Sequence, residues 1–72
     1  FSIEVAGNMN LNIYDMTGRL VNILVDGHVE KGYHNVTWNG IDRNGNAVAS
    51  GMYIYALQGE GISITKKMML MK

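Results

Sequence analysis

The side chains of this chain that could do chemistry are few and widely spaced. His28 and His34 are the only histidines, with Asp26 and Glu30 nearby in the sequence. A zinc centre needs three or four converging ligands, whereas the two histidines fall on a predicted loop and on the strand after it. We therefore interpret these four residues as ordinary surface residues.

The segment DRNGN places Asp42, Asn44 and Asn46 at alternate positions, as at the start of a calcium-binding loop. An EF-hand loop needs glycine at its sixth position and a bidentate acid at its twelfth. Here Gly45 comes fourth, and Tyr53 occupies the twelfth position. Because one carboxylate does not hold a hard cation tightly, the segment is predicted to be a turn, with a weak cation site as the alternative.

Serine, thiol and paired-carboxylate catalysis are disfavoured as well. Neither Ser2, Ser50 nor Ser63 lies in a G-x-S-x-G setting. The six acidic residues are scattered along the chain, and cysteine is absent. We predict a protein that is not an enzyme, with no catalytic residue, no metal and no cofactor.

Composition narrows the class of protein further. The 72 residues suffice for one domain, predicted to span residues 1–72, and 47% of them are hydrophobic, which favours a packed fold over disorder. The formal net charge is zero, which argues against nucleic acid as a partner. No apolar run approaches the roughly 20 residues of a transmembrane helix.

Short apolar runs with period-two alternation predict the elements that carry these side chains. The predicted strands are residues 1–6, 9–15, 19–27, 33–38, 52–58 and 62–71, with turns or loops at 7–8, 15–18, 28–32 and 59–61. Residues 19–26 also suit a helix, but their β-branched side chains favour a strand. The spacing is typical of an all-β, small immunoglobulin-like sandwich of about six to seven antiparallel strands.

Aromatic residues are predicted to form the structural core. Trp38 is expected to fill its middle, because a lone Trp is usually the largest packing element of a small sandwich. Tyr53 is expected to form a tyrosine corner, with its hydroxyl bonded to upstream backbone, and Tyr55 follows in the same strand. The alternative is a platform on which sugar rings stack, made by these residues with Tyr14 and Tyr33.

The last predicted strand is unusually apolar and basic. Its residues are Lys66, Lys67, Met68, Met69, Leu70, Met71 and Lys72. One interpretation is a covered strand whose lysines, at its ends, guard against edge-to-edge pairing. The other is a surface presented to another protein, which makes these seven residues the candidate partner-binding site.

Three segments resemble a known family. LNIYDMTGRLV, GYHNVTWNGIDRNGNAVASGMYIYALQ and ITKKMMLMK are similar to a small immunoglobulin-like domain shared by two bacterial groups. One is the C-terminal domain of the flagellar hook-capping protein FlgD. The other, closer at the tail, is the C-terminal sorting domain (type A) of proteins exported by the type IX secretion system.

The resemblance implies a non-catalytic C-terminal sorting or anchoring domain of a larger secreted bacterial protein, of which this chain is expected to be a fragment. Its partners would be the secretion machinery or cell-envelope proteins, together with upstream domains of the same polypeptide. Its location would be outside the cell or on the cell surface of a Gram-negative bacterium, reached through the periplasm and outer membrane. The alternatives are structural assembly, as in a hook cap, and a carbohydrate-binding module of a secreted hydrolase.

Overall fold

The computed structural model describes residues 2–3 and 6–71, which form six antiparallel strands in two sheets. The strands are β1 (Ser2–Ile3), β2 (Gly7–Asp15), β3 (Leu20–Val29), β4 (Gly32–Tyr33), β5 (Gly51–Gly59) and β6 (Ile62–Leu70). The predicted small all-β, immunoglobulin-like sandwich is thereby confirmed, and the competing helix at 19–26 is wrong because β3 covers residues 20–26. Within the described ranges there is no helix long and apolar enough to cross a membrane.

The larger sheet has the strand order β3-β2-β5-β6, and the smaller sheet pairs β1 with β4. Two hairpins, β2–β3 and β5–β6, join side by side through the antiparallel ladder between β2 and β5. Leu11 lies at the centre of this sheet, since it pairs with Val25 on one side and Leu57 on the other. Among the described residues, β6 is consequently an edge strand of the larger sheet.

The alternation of β2 explains how the sheet acquires a buried face. Met9, Leu11 and Ile13 are 2%, 7% and 1% exposed. Asn8, just before Met9, and Asn10, just after it, face solvent. Successive strand residues point to opposite faces, so the apolar set lies on one side of the sheet. The core contains two groups of buried residues: Ile3, Met9, Leu11, Val29 and Leu57, and Ile13, Val21 and Tyr53.

The predicted tyrosine corner is present at the start of β5. Tyr53 is buried, and its hydroxyl donates a hydrogen bond of 2.7 Å to the carbonyl oxygen of Ala49, four residues upstream. This bond fixes the approach of the preceding loop to the sheet.

Removing that hydroxyl should cost a measurable part of the stability. We expect Tyr53→Phe to lower the free energy of unfolding by about 1 kcal/mol, because the substitution deletes one neutral hydrogen bond and keeps the ring. Urea denaturation followed by fluorescence measures the change. Tyr33→Phe is the matched control, since Tyr33 is 90% exposed; equal losses in the two variants would contradict a stabilising corner.

Two predicted connections are wrong because the ladders run through them. Gly7 and Asn8, predicted to turn, begin β2 and pair with Val29 and His28. For the same reason β3 does not end at residues 26–27 but continues to Val29. The long pairing between β2 and β3 outweighs the local turn preference of glycine, and the predicted loop 28–32 shrinks to the two residues before β4.

The predicted strand at 33–38 is largely wrong as well. Only Tyr33 belongs to a strand, and residues 34–38 cross the sheet outside any described ladder. An alternating pattern gives a strand only where a neighbour supplies hydrogen bonds, and the described part of the smaller sheet ends with the Ser2–Tyr33 pair. Of the predicted first strand, Phe1, Glu4 and Val5 lie outside the described residues.

Candidate functional site: a groove beside the last strand

The two histidines lie at the surface around Glu30. His28 Nε2 lies 2.8 Å from a carboxylate oxygen of Glu30, and His34 Nε2 donates a 2.6 Å hydrogen bond to the Glu30 carbonyl oxygen. Among the described residues, no three or more His, Asp or Glu side chains converge in a way that could hold a metal ion. These contacts tie the strand end to the segment that follows it.

The DRNGN segment forms a turn that Asp42 closes with its own side chain. Asp42 Oδ1 accepts hydrogen bonds from the backbone amides of Asn44 and Asn46, at 2.9 and 3.0 Å. Gly45 has a φ of 83°, which glycine adopts without steric cost, and its amide donates to the Asp42 carbonyl oxygen at 3.1 Å. These hydrogen bonds confirm the predicted turn.

The turn after β2 has the same design. Asp15 Oδ1 accepts the amides of Thr17 and Arg19, both at 3.0 Å, and Gly18 has a φ of 89°. The Thr17 hydroxyl also donates to this oxygen at 2.6 Å. This hydroxyl, followed by the Arg19 amide, lowers the pKa of the Asp15 carboxyl, because the hydrogen bonds favour its ionised form. Both acidic turns are therefore structural.

The DRNGN turn is held against β3 by two hydrogen bonds. The Arg43 amide donates to the Val21 carbonyl oxygen at 3.0 Å, and Asn22 Nδ2 donates to the Ile41 carbonyl oxygen at 2.9 Å. These contacts occupy part of the outer edge of β3. Among the described residues, the turn therefore contacts the edge of the larger sheet at β3, whereas no such backbone contact is found at the β6 edge.

Trp38 packs at the margin of the core and not at its predicted middle. Its side chain is half-buried, and its ring meets that of Tyr53 edge-on, with centroids 4.9 Å apart and planes at 71°. Its Nε1 donates a 2.8 Å hydrogen bond to the Ile41 carbonyl oxygen. Ile13 and Leu57 are the most deeply buried large side chains of the described chain.

The aromatic residues are not gathered into one platform. Trp38 and Tyr55 line the same groove, and Tyr53 packs against Trp38 in the core. Tyr33 and Tyr14 are absent from the described lining of that groove. The predicted sugar platform of five aromatic residues is therefore not formed as a single surface.

The groove itself lies between the inner face of the larger sheet and the crossing segment 34–38. Its volume is about 510 Å³. It is lined by Leu11, Ile13, Leu24, His34, Asn35, Val36, Trp38, Tyr55, Leu57, Ile64, Lys66 and Met68. The crossing segment lies outside any described ladder, so the described part of the second layer covers this region of the sheet only partly.

Lys66 contributes a positive charge to the described lining of the groove. It lies between Ile64 and Met68 in the alternation of β6, so it belongs to the face that turns towards the core. Both neighbours on that face are partly buried, while Lys66 is exposed. A lysine on the inner face of an edge strand is a known means of preventing indiscriminate strand pairing.

The other predicted partner-binding residues occupy the outer face and the end of β6. Lys67 and Met69 face outwards, Met69 is 63% exposed, and Met71, just after the strand, is 81% exposed. Leu70 is partly buried, and Lys72 lies outside the described residues. Lys66 and Lys67 stand at the middle of β6, so the prediction that the lysines guard the ends of this strand is wrong for these two.

Sequence reasoning missed the groove because its walls come from distant parts of the chain. The segment 34–38 was expected to complete a sheet, and a completed sheet would leave no such opening. One signal was available: Lys66 interrupts an otherwise apolar alternation of Ile62, Ile64, Met68 and Leu70. A charge at that position indicates that the inner face is open to water there.

Within the described residues, these features define a small immunoglobulin-like sandwich with a tyrosine corner, a second layer that covers the sheet only partly, and an accessible edge strand. The FlgD Ig-like domain family matches residues 3–61, most of the chain, and the chain belongs to this family. No curated protein and no solved structure gives a match. The family match ends directly before β6, so it identifies the scaffold and leaves the last strand to be interpreted from its own chemistry.

Proposed function

We propose that this domain is a non-catalytic structural module that joins protein chains in an extracellular or cell-surface assembly, as in a flagellar hook cap. The observation that supports it most is the family match over residues 3–61, which runs from the second residue of β1 through β5. The candidate catalytic and metal-binding groups agree with a scaffold role. Asp15 and Asp42 close their own turns, and Glu30 bonds to both histidines.

In this proposal the domain acts within a longer secreted polypeptide, and its partners are cell-envelope proteins or further copies of the parent. Deleting the domain from the parent gene tests the idea. We expect a parent protein that still leaves the cytoplasm but no longer enters a higher-order complex, as measured by cross-linking and light scattering. Unchanged assembly after the deletion would overturn the proposal.

A second candidate is a sorting domain read by the type IX secretion machinery. The observation that favours it is β6, where lysines and exposed methionines follow the region that the family match covers. A periplasmic reporter fused to residues 1–72 should then appear in the medium of a bacterium with this system. The same fusion without residues 66–72 should remain in the periplasm, and equal export of both fusions would refute sorting.

A further inference from the structure

We propose that β6 binds an extended acidic segment of a partner protein by strand addition, with the partner's alternate side chains entering the groove beside Lys66. The inference rests on the proposed assembly function and specifies its contact surface. The proposed partner strand belongs to a different protein and carries two adjacent carboxylates. Three features of the described chain support this choice.

The first feature is the accessible edge. β6 pairs with β5 along all nine residues from Ile62 to Leu70, and it is the last strand of its sheet. In an edge strand, alternate backbone N–H and C=O groups point away from the sheet and can pair with another chain. The opposite edge, at β3, is partly occupied by the turn at Arg43. The described residues therefore offer β6 as the more accessible edge.

The second feature is the groove that runs along the inner face of β6. Ile64, Lys66 and Met68 form one wall, and Val36 and Trp38 lie on the crossing segment. A strand added to β6 would place every second side chain on this inner face, because side chains alternate across a sheet. Apolar side chains of the added strand would reach into the groove of about 510 Å³ that the described part of the second layer leaves partly open.

The third feature is the charge of the two central residues. Lys66 faces the groove and Lys67 faces outwards, and the ion pairs found among the described residues involve neither of them. The described lining of the groove contains no carboxylate. Opposite charges directly across a strand pair stabilise it, so two adjacent acidic residues of a partner strand would meet one lysine on each face.

A second copy of this chain fits the edge poorly. Lys66 is the middle residue of Ile62–Leu70, so a fully overlapping antiparallel pair of two β6 strands places the two Lys66 side chains directly opposite each other. Like charges in that position are destabilising. The same lysine that attracts an acidic strand thus disfavours pairing of the domain with itself.

A charge-reversal experiment on the domain and on a peptide tests the proposal. The probe is a nine-residue peptide of alternating valine and threonine with two adjacent glutamates at its centre, and a matched peptide carries two lysines there. We expect the glutamate peptide to slow amide hydrogen exchange at alternate residues of β6 and to bind roughly tenfold more tightly than the lysine peptide. In the double variant Lys66→Glu and Lys67→Glu, the preference should reverse.

The matched control variant is Lys31→Glu with Arg43→Glu, which makes the same change of net charge at exposed residues away from β6. It should keep the glutamate preference within about twofold of the unmodified domain. Thermal unfolding of both variants checks that the fold is intact. Equal affinities for the two peptides, protection outside β6, or no effect on β6 at about 1 mM peptide would each overturn strand addition.

The same double variant, placed in the full-length parent protein, separates this inference from the proposed function. Loss of assembly on deletion of the domain, together with normal assembly of the Lys66→Glu and Lys67→Glu variant, would refute strand addition and leave the assembly role standing. Normal assembly after deletion would refute the assembly role itself.

Discussion

Ile13→Ala is expected to lower the free energy of unfolding by about 3–4 kcal/mol, within the range for truncation of a fully buried aliphatic side chain. Ile13 is 1% exposed and packs with Val21 and Tyr53, which are also buried. The loss combines the transfer free energy of the deleted groups with the cost of the cavity that remains. Because a 72-residue domain has a stability of only about 4–11 kcal/mol, this variant should lose a large share of it.

Equilibrium unfolding in urea, followed by the fluorescence of Trp38, measures the effect. Ile23→Ala is the matched control, because it deletes the same atoms from a residue that is 37% exposed on the neighbouring strand. We expect that control to lose less than half as much stability. Similar losses at residues 13 and 23 would show that the burial of Ile13 does not decide the stability of the sheet.

Gly59→Ala should have the second largest effect, a loss of about 1–3 kcal/mol from overpacking. A methyl group on Gly59 would overlap the Met9 sulfur and lie 2.8 Å from the backbone carbonyl oxygen of Asn8. Met9 is itself only 2% exposed, and it pairs with Gly59 across the β2–β5 ladder. To remove the overlap with the Asn8 carbonyl oxygen, the β2–β5 ladder itself has to shift.

Gly7→Ala provides the control for Gly59→Ala, because it adds the same methyl group at the start of β2, the strand that pairs with β5. The nearest atom there is a Glu60 carboxylate oxygen at 3.9 Å, which is an ordinary contact. Thermal unfolding should show a clear fall in Tm for the Gly59 variant and little change for the Gly7 variant. Because Met9→Val has a truncation cost of its own, the comparison is between backgrounds: Gly59→Ala should cost less stability in the Met9→Val variant than in the unmodified domain, and an equal cost would assign the strain to the Asn8 carbonyl.

Local signals predicted the parts of the fold that depend on local pairing. The β5–β6 hairpin was predicted closely, since Gly59-Glu60-Gly61 stands between two alternating strands and the observed strands end within one residue of that turn. Tyr53 was predicted to bond to upstream backbone for the same reason, because the corner needs only a few consecutive residues. In such segments, short-range chemistry and the final fold agree.

Features that depend on distant neighbours were not predictable in this way. Gly7 and Asn8 have the composition of a turn, yet the ladder with β3 draws them into a strand. Residues 34–38 have the composition of a strand but no described ladder partner. The groove of the candidate site depends on that missing pairing, so Lys66 could be placed on a strand from the sequence, but not beside an opening of the core.

The two-hairpin construction of the larger sheet also determines how the chain reaches its native state. Each hairpin closes a short loop, and such structures form within microseconds. The ladder that joins them pairs Leu11 with Leu57 across most of the chain, and closing so long a loop costs more conformational entropy before its contacts are gained. We infer that docking of the two hairpins limits the rate of folding, and until they dock, the inner edges of both β2 and β5 are exposed to association with other chains.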